Sequence, residues 1–135
     1  ELKSGDVAVN ASKVAAYPEV RKELLKFQKD FAKKGGILDG RDIGTVICPD
    51  AEVKLFIDAK AEIRAHRRHL ELTAYQESIS FETVLKQLTE RDTRDMNRKN
   101  APLKIATTAH IIDTTDMTEN DVFENAREII DSVIL

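Results

Sequence analysis

The chain has no tryptophan, one cysteine, three prolines and five glycines among its 135 residues, and only 5% of it is aromatic. Each scarcity excludes something. A single Cys48 cannot form an internal disulfide, so stability has to come from an apolar core, as suits a reducing compartment, with the cytoplasm the default. The apolar runs, such as Val14 to Tyr17 and Leu55 to Ile57, are far shorter than the roughly 20 residues of a membrane span. No basic then apolar leader opens the chain, so neither membrane insertion nor targeting is expected. Few aromatics and a net charge of −3 speak against a nucleic-acid coat protein. With 41% hydrophobic and 33% charged residues, the composition suits one soluble domain of common size. The net charge hides an uneven spread, because Lys and Arg gather at 60–68 and 91–99. The chain also starts at Glu1 without Met, in what reads as a structured segment, so a fragment is expected.

Hydrophobic spacing organises the rest. Val7, Ala11, Val14 and Ala15 follow a helical period over Asp6 to Tyr17, and Pro18 suits the first turn of a second helix. That helix carries Val20, Leu24, Phe27 and Phe31 on one face and stops at Gly35-Gly36. Ile37-Leu38 and Thr45 to Cys48 are short strand or loop candidates. Val53 to Ala59 has Leu55, Phe56 and Ile57 unbroken, which predicts a strand buried on both faces. Lys60 to about Tyr75 is helical, and Ser80 is placed to cap a helix running to about Lys99. His110 to Thr115 is another strand candidate, and Thr118 with Asp121 resembles a capping box for a last helix. The alternation predicts an open α/β parallel sheet with right-handed crossovers and no internal repeat. Ligands bind such sheets at the carboxyl ends of strands, which here fall near Asp39, Asp58 and Asp113.

Three charged constellations stand out. In Glu90 to Arg98, helical spacing puts Arg91, Arg94, Asp95 and Arg98 on one face. Like charges so placed cost roughly a few tenths of a kcal/mol per pair unless an anion neutralises them. Guanidinium forks bind phosphate bidentately, so the face suits a nucleotide. It equally suits a solvated face laced by pairs such as Glu90 with Arg94 and Arg91 with Asp95. In Asp39 to Thr45, a strand-end acid, two glycines and Arg41 could serve magnesium and phosphate, but Asp-Gly is also a hairpin signal. In Arg64 to Arg68, the two end arginines face one way, as an arm over polyphosphate or as a plain basic helix face. His66 and His69 lack the further ligands of a metal set, and Cys48 reads as a packed residue. Ser12 and Arg21, near the first helix junction, say little by themselves.

Together these runs resemble a known family. NASKVAAYPEVRKEL (10–24), ILDGRDIGTVICPDAEVKLFIDA (37–59), RAHRR (64–68), ERDTRDMNR (90–98), APLKIA (101–106) and HIIDTT (110–115) closely resemble the bacterial cytidylate kinases. The resemblance implies a P-loop NTPase-type α/β fold and transfer of the ATP γ-phosphoryl to CMP or dCMP, with Mg²⁺ and no covalent enzyme intermediate. It implies that Ser12, Arg21 and Asp42 contact cytosine, that Arg41 and Arg98 bind the monophosphate, and that Arg91 and Asp95 reach the sugar. Arg41, Arg91 and Arg98 are then the catalytic set. Asp39 would order magnesium through water, and Arg64 and Arg68 would meet ATP where a lid of about 64–99 begins. The expected partners are CMP or dCMP and ATP, with neither nucleic acid nor membrane, and the full-length protein is expected to be a cytoplasmic monomer.

The family also carries a glycine-rich phosphate loop with a lysine, at its N-terminus, and a small inserted monophosphate-binding domain. The glycines at 5, 35, 36, 40 and 44 precede no Gly-Lys-Ser/Thr. The expectation is therefore that residues 1–135 are the C-terminal part of a single kinase core domain, active in the full-length protein and inactive alone. The family's first strand would lie between the strands resembling Ile37 to Arg41 and Val53 to Ala59. Two alternatives remain: an inactive nucleotide-binding fragment, and a nucleic-acid-binding pair of basic helices at 60–69 and 91–99.

Overall fold

A computed structural model describes residues 5–15, 17–75, 78–97, 99 and 102–135, with the side chains of 6, 8, 9 and 12 outside that description. The elements are α1 (Gly5–Val14), α2 (Pro18–Ala32), β1 (Leu55–Asp58), α3 (Ala61–Ala74), α4 (Phe81–Asn97), β2 (His110–Asp113) and α5 (Glu119–Ile134). A single π-helical turn, Ile43–Ile47, precedes β1. β1 and β2 pair in parallel, from Leu55 opposite His110 to Asp58 opposite Asp113. The helices α3 and α4 form the long crossover that a parallel pair requires. The architecture is α/β, as the alternating pattern predicts.

Local chemistry sets most boundaries. Pro18 opens α2, where its missing N–H costs nothing. Gly35 and Gly36, at φ of 78° and 128°, carry the chain out of that helix through a region L side chains rarely adopt. Ser80 caps α4 by accepting the Thr83 N–H at 3.2 Å. At α5 the capping box is complete, since Thr118 Oγ1 accepts from Asp121 N and the Asp121 carboxylate accepts from Thr118 N.

The core lies between α3 and α4. Ala65, Leu72 and Val84 are buried there, against Ile79, Phe81, Leu85 and Leu88. Seven residues separate Ala65 from Leu72, so both fall on one helix face. Burying a side chain like Leu72 contributes about 1.5–3 kcal/mol. Arg67 joins this pair to the sheet, donating to Thr114 Oγ1 at 2.9 Å and Thr114 O at 2.6 Å. The Thr114 hydroxyl in turn donates to Asp58 O at 3.0 Å, at the end of β1. His69 is engaged by Ile79 O at 3.0 Å and packs edge-on to Phe81.

Three expectations need correction. Residues 37–39 form no strand, because an extended stretch needs a neighbour to hydrogen-bond and no described strand pairs with it. Thr45 to Cys48 is neither a strand nor the return of a hairpin, because most of it lies in the π-helical turn, where Cys48 N donates back to Ile43 O at 2.7 Å. The run at β1 is not buried on both faces: Ile57 is 52% exposed, and on the other face Ile111, which pairs in register with Phe56, is 61% exposed. The cause is partial cover, since α5 packs on β2 while α3 and α4 pack mainly against each other.

Candidate functional site

Three separated stretches close around one cavity of about 660 Å³. The first turn of α2 supplies Val20, Arg21 and Lys22, the loop and π-helical turn supply 39–43 with Val46 and Ile47, and α4 supplies Arg91, Arg94 and Asp95. Apolar side chains of α2 and the turn line it together with guanidiniums and carboxylates. An apolar lining with a few convergent charged groups is the usual make-up of a small-molecule site.

The charged groups form a chain of ion pairs. Arg21 pairs with Asp42, whose side chain is buried, and also donates to Ala15 O at 3.4 Å. Arg41 Nη1 pairs with Asp95 Oδ2 at 2.6 Å and lies 3.5 Å from Asp92 Oδ1. Asp92 Oδ2 accepts from Arg64 at 2.7 Å, and Arg91 Nε stands 3.9 Å from Asp95 Oδ2. Buried carboxylates require such partners, and guanidinium forks are suited to supply them. Burial pushes the Arg91 guanidinium below its usual pKa; Arg41 adds like-charge repulsion, and Asp95 and Asp92 oppose it. A guanidinium keeps its charge at ordinary pH. An incoming anion would offset both desolvation and repulsion at Arg91.

The two glycines of the loop approach the chain's own side chains. A Cβ on Gly40 would lie 3.1 Å from Ile43 Cδ1, and one on Gly44 would lie 3.3 Å from Lys54 Cδ. Each position therefore has little room for a larger residue.

Of the residues singled out from the sequence, Arg21, Asp39, Arg41, Asp42, Arg91 and Asp95 line the cavity together. Arg64 reaches the network through Asp92 but is not in the cavity wall. Ser12 belongs to α1, and its side chain, like Arg98, lies outside the described residues. Arg64 and Arg68 do not act as the parallel pair expected. Arg64 points to Asp92 and Ala59 O, whereas Arg68 is drawn to Glu71 on its own helix at 2.7 Å. A carboxylate one turn away competes for a long flexible side chain, so shared helical spacing does not ensure a shared target.

Sequence reasoning missed Asp92, which bridges two arginines from different elements. The signal was present, because Asp92 and Asp95 stand three apart on α4. Arg67 was also overlooked as the tie between α3 and β2. Among the described residues, no group of three His, Cys, Asp or Glu is placed to hold a metal ion, and no helix is long and apolar enough to cross a membrane.

Comparison with known proteins matches residues 1–132 to the family model described as cytidylate kinase. A protein named cytidylate kinase from Cereibacter sphaeroides is 50% identical over 133 residues, covering 97% of this chain and 65% of that protein. One from Mesorhizobium japonicum is 47% identical over 126 residues, covering 92% and 58%. One from Actinobacillus succinogenes is 48% identical over 134 residues, covering 98% and 59%. The chain thus spans about three-fifths of the length of these curated relatives. With almost every residue inside the matched region, the chain belongs to the cytidylate kinase family.

Proposed function

We propose that the full-length protein carrying these residues transfers the γ-phosphoryl group of ATP to CMP or dCMP, in the cytoplasm. One observation carries the reading. A single cavity gathers Arg21, Arg41, Asp42, Arg91 and Asp95, residues that the resemblance assigns to one substrate, from three stretches far apart in sequence.

The roles follow from the chemistry of each group. Asp42 accepts from the cytosine amine, and Arg21, with Ser12, donates to the ring carbonyl and nitrogen. Uracil offers a carbonyl where cytosine has the amine, so an acceptor at Asp42 selects cytosine. Arg41 and Arg98 hold the monophosphate, and Arg91 and Asp95 reach the sugar. Arg41 is paired with Asp95, with Asp92 farther off at 3.5 Å, so a phosphate dianion would exchange one anionic partner for another. Arg64 and Arg68 meet ATP, in a lid of about 64–99. Magnesium arrives with ATP as part of the substrate. Asp39, a cavity-lining carboxylate that belongs to no multi-ligand cluster among the described residues, suits contact with that ion through water. Rate comes from aligning two polyanions and neutralising their charge, with no covalent enzyme intermediate.

A second reading rests on the sequence itself. The 135 residues contain no glycine ahead of a Gly-Lys-Ser/Thr, so alone they bind CMP without transferring phosphoryl. A nucleic-acid-binding role fits less well, because Arg64, Arg67 and Arg68 are each engaged by groups within the chain.

The test is phosphoryl transfer by the full-length protein with ATP and Mg²⁺ against CMP, dCMP and UMP. Turnover of the cytosine nucleotides is expected, and its absence removes the proposal. Arg98→Ala should lower monophosphate use far more than Asp42→Asn. The latter should chiefly narrow the gap between CMP and UMP, and equal losses for both would contradict the role given to Asp42.

A further inference from the structure

Asp92 stands where three elements meet. It projects from α4, takes Arg64 of α3 on Oδ2 at 2.7 Å, and lies 3.5 Å by Oδ1 from Arg41 of the loop. Its two partners are held unequally. Arg41 has a closer anion in Asp95, at 2.6 Å. Arg64 pairs with Asp92 and also donates its Nε–H to Ala59 O at 2.8 Å, just beyond the end of β1. Those two bonds fix the guanidinium plane, because a fork held at Nε and at one Nη has little freedom left to rotate. The side chain of Asp92 is about one-fifth exposed, so its charge is only partly screened.

We infer that Asp92 is a positioning residue: it aims the Arg64 guanidinium at the ATP phosphates, while Asp95 independently sets Arg41 for the monophosphate. The inference rests on the reading of the site under Proposed function, and it assigns Asp92 a task on the donor side alone. Removing the Asp92 charge releases Arg64 and leaves Arg41 on Asp95. The consequence is a split between the two substrates. Loss of a carboxylate that merely holds the fold together would weaken both.

The measurement uses full-length protein carrying Asp92→Asn, Arg64→Ala, or both. Each single change is expected to raise the KM for ATP by about tenfold, with CMP affinity in the absence of ATP moving less than about twofold. The double variant should lose no more than about twofold beyond either single one, because the second change removes a contact already lost. Additive losses, or an equal loss of CMP binding, overturn the inference. If Asp92→Asn does not fold, Asp92→Glu takes its place: the charge is kept but displaced, and the same non-additivity with Arg64→Ala is required. The Arg64 Nε–H resonance in a ¹⁵N spectrum reads the clamp without turnover. It should shift and exchange faster in the Asp92 variant, and an unchanged signal counts against the clamp. A full-length protein that phosphorylates no monophosphate would remove the proposed function, and the resonance would still decide whether Asp92 holds Arg64.

Discussion

The α3–α4 pair and the α1–α2 pair are both helical, both amphipathic, and differently placed. Between α3 and α4, Ala65, Leu72 and Val84 are buried and the charged positions knit into a network reaching the loop and the end of β1. In α2 no residue is buried: Leu24, Phe27 and Phe31 are at least half exposed although they follow a helical period. What links α2 to the rest is its N-terminal end, through the Arg21 pair with Asp42 and packing near the π-helical turn. Helical periodicity is a local property of the chain, whereas burial requires a second surface of matching shape.

Three measurements can break or sharpen that contrast. The largest effect belongs to the core. In the 135-residue chain, Leu72→Ala should cost about 2–5 kcal/mol by urea denaturation, and Phe27→Ala, 69% exposed, less than about 1 kcal/mol. Comparable losses would show that α2 is as well packed as α3. The intermediate effect belongs to the tether. Arg21→Ala removes the ion pair of a buried carboxylate and should cost about 1–3 kcal/mol, with trypsin cutting within α2 sooner than within α3 or α4. Uniform acceleration across all the helices would mean that the pair supports the whole domain.

The smallest effect belongs to a helix end. Thr118→Ala should cost about 1 kcal/mol through α5, leaving α2 unaffected. The Thr118 hydroxyl and backbone N–H hold the Asp121 carboxyl below its usual pKa. A depressed carboxyl contributes stability above its unfolded pKa, and that contribution is lost as pH falls through the folded value. The difference in denaturation midpoint between wild type and Asp121→Asn should therefore be present at neutral pH and shrink on acidification. A difference that grows in acid would reverse the assignment.

Much of the fold was legible because its signals are short-range. Pro18, Gly35-Gly36, Ser80 and the Thr118–Asp121 box each act on backbone groups within four residues, and each marks an element boundary where expected. The Asp39 to Thr45 motif and the arginine spacing on α4 likewise pointed to residues that line one cavity. The failures share a different character. A strand at 37–39 depends on a partner elsewhere in the chain, the burial of Ile57 depends on what covers the sheet, and the direction of Arg68 depends on competition with Glu71. Asp92 escaped notice because its importance lies in distances to Arg41 and Arg64, which spacing along α4 does not encode.

By itself the sequence determined the helices, their caps, the parallel α/β class and the family, since these follow from residue type and near-neighbour spacing. Tertiary structure alone decided which carboxylate neutralises which guanidinium, that α2 keeps its apolar face open, and that the 43–47 segment is a helical turn rather than a strand. The physical reason is range. Backbone capping and helical periodicity act over a few residues, but charge pairing and burial are settled by groups that meet only after distant segments have packed.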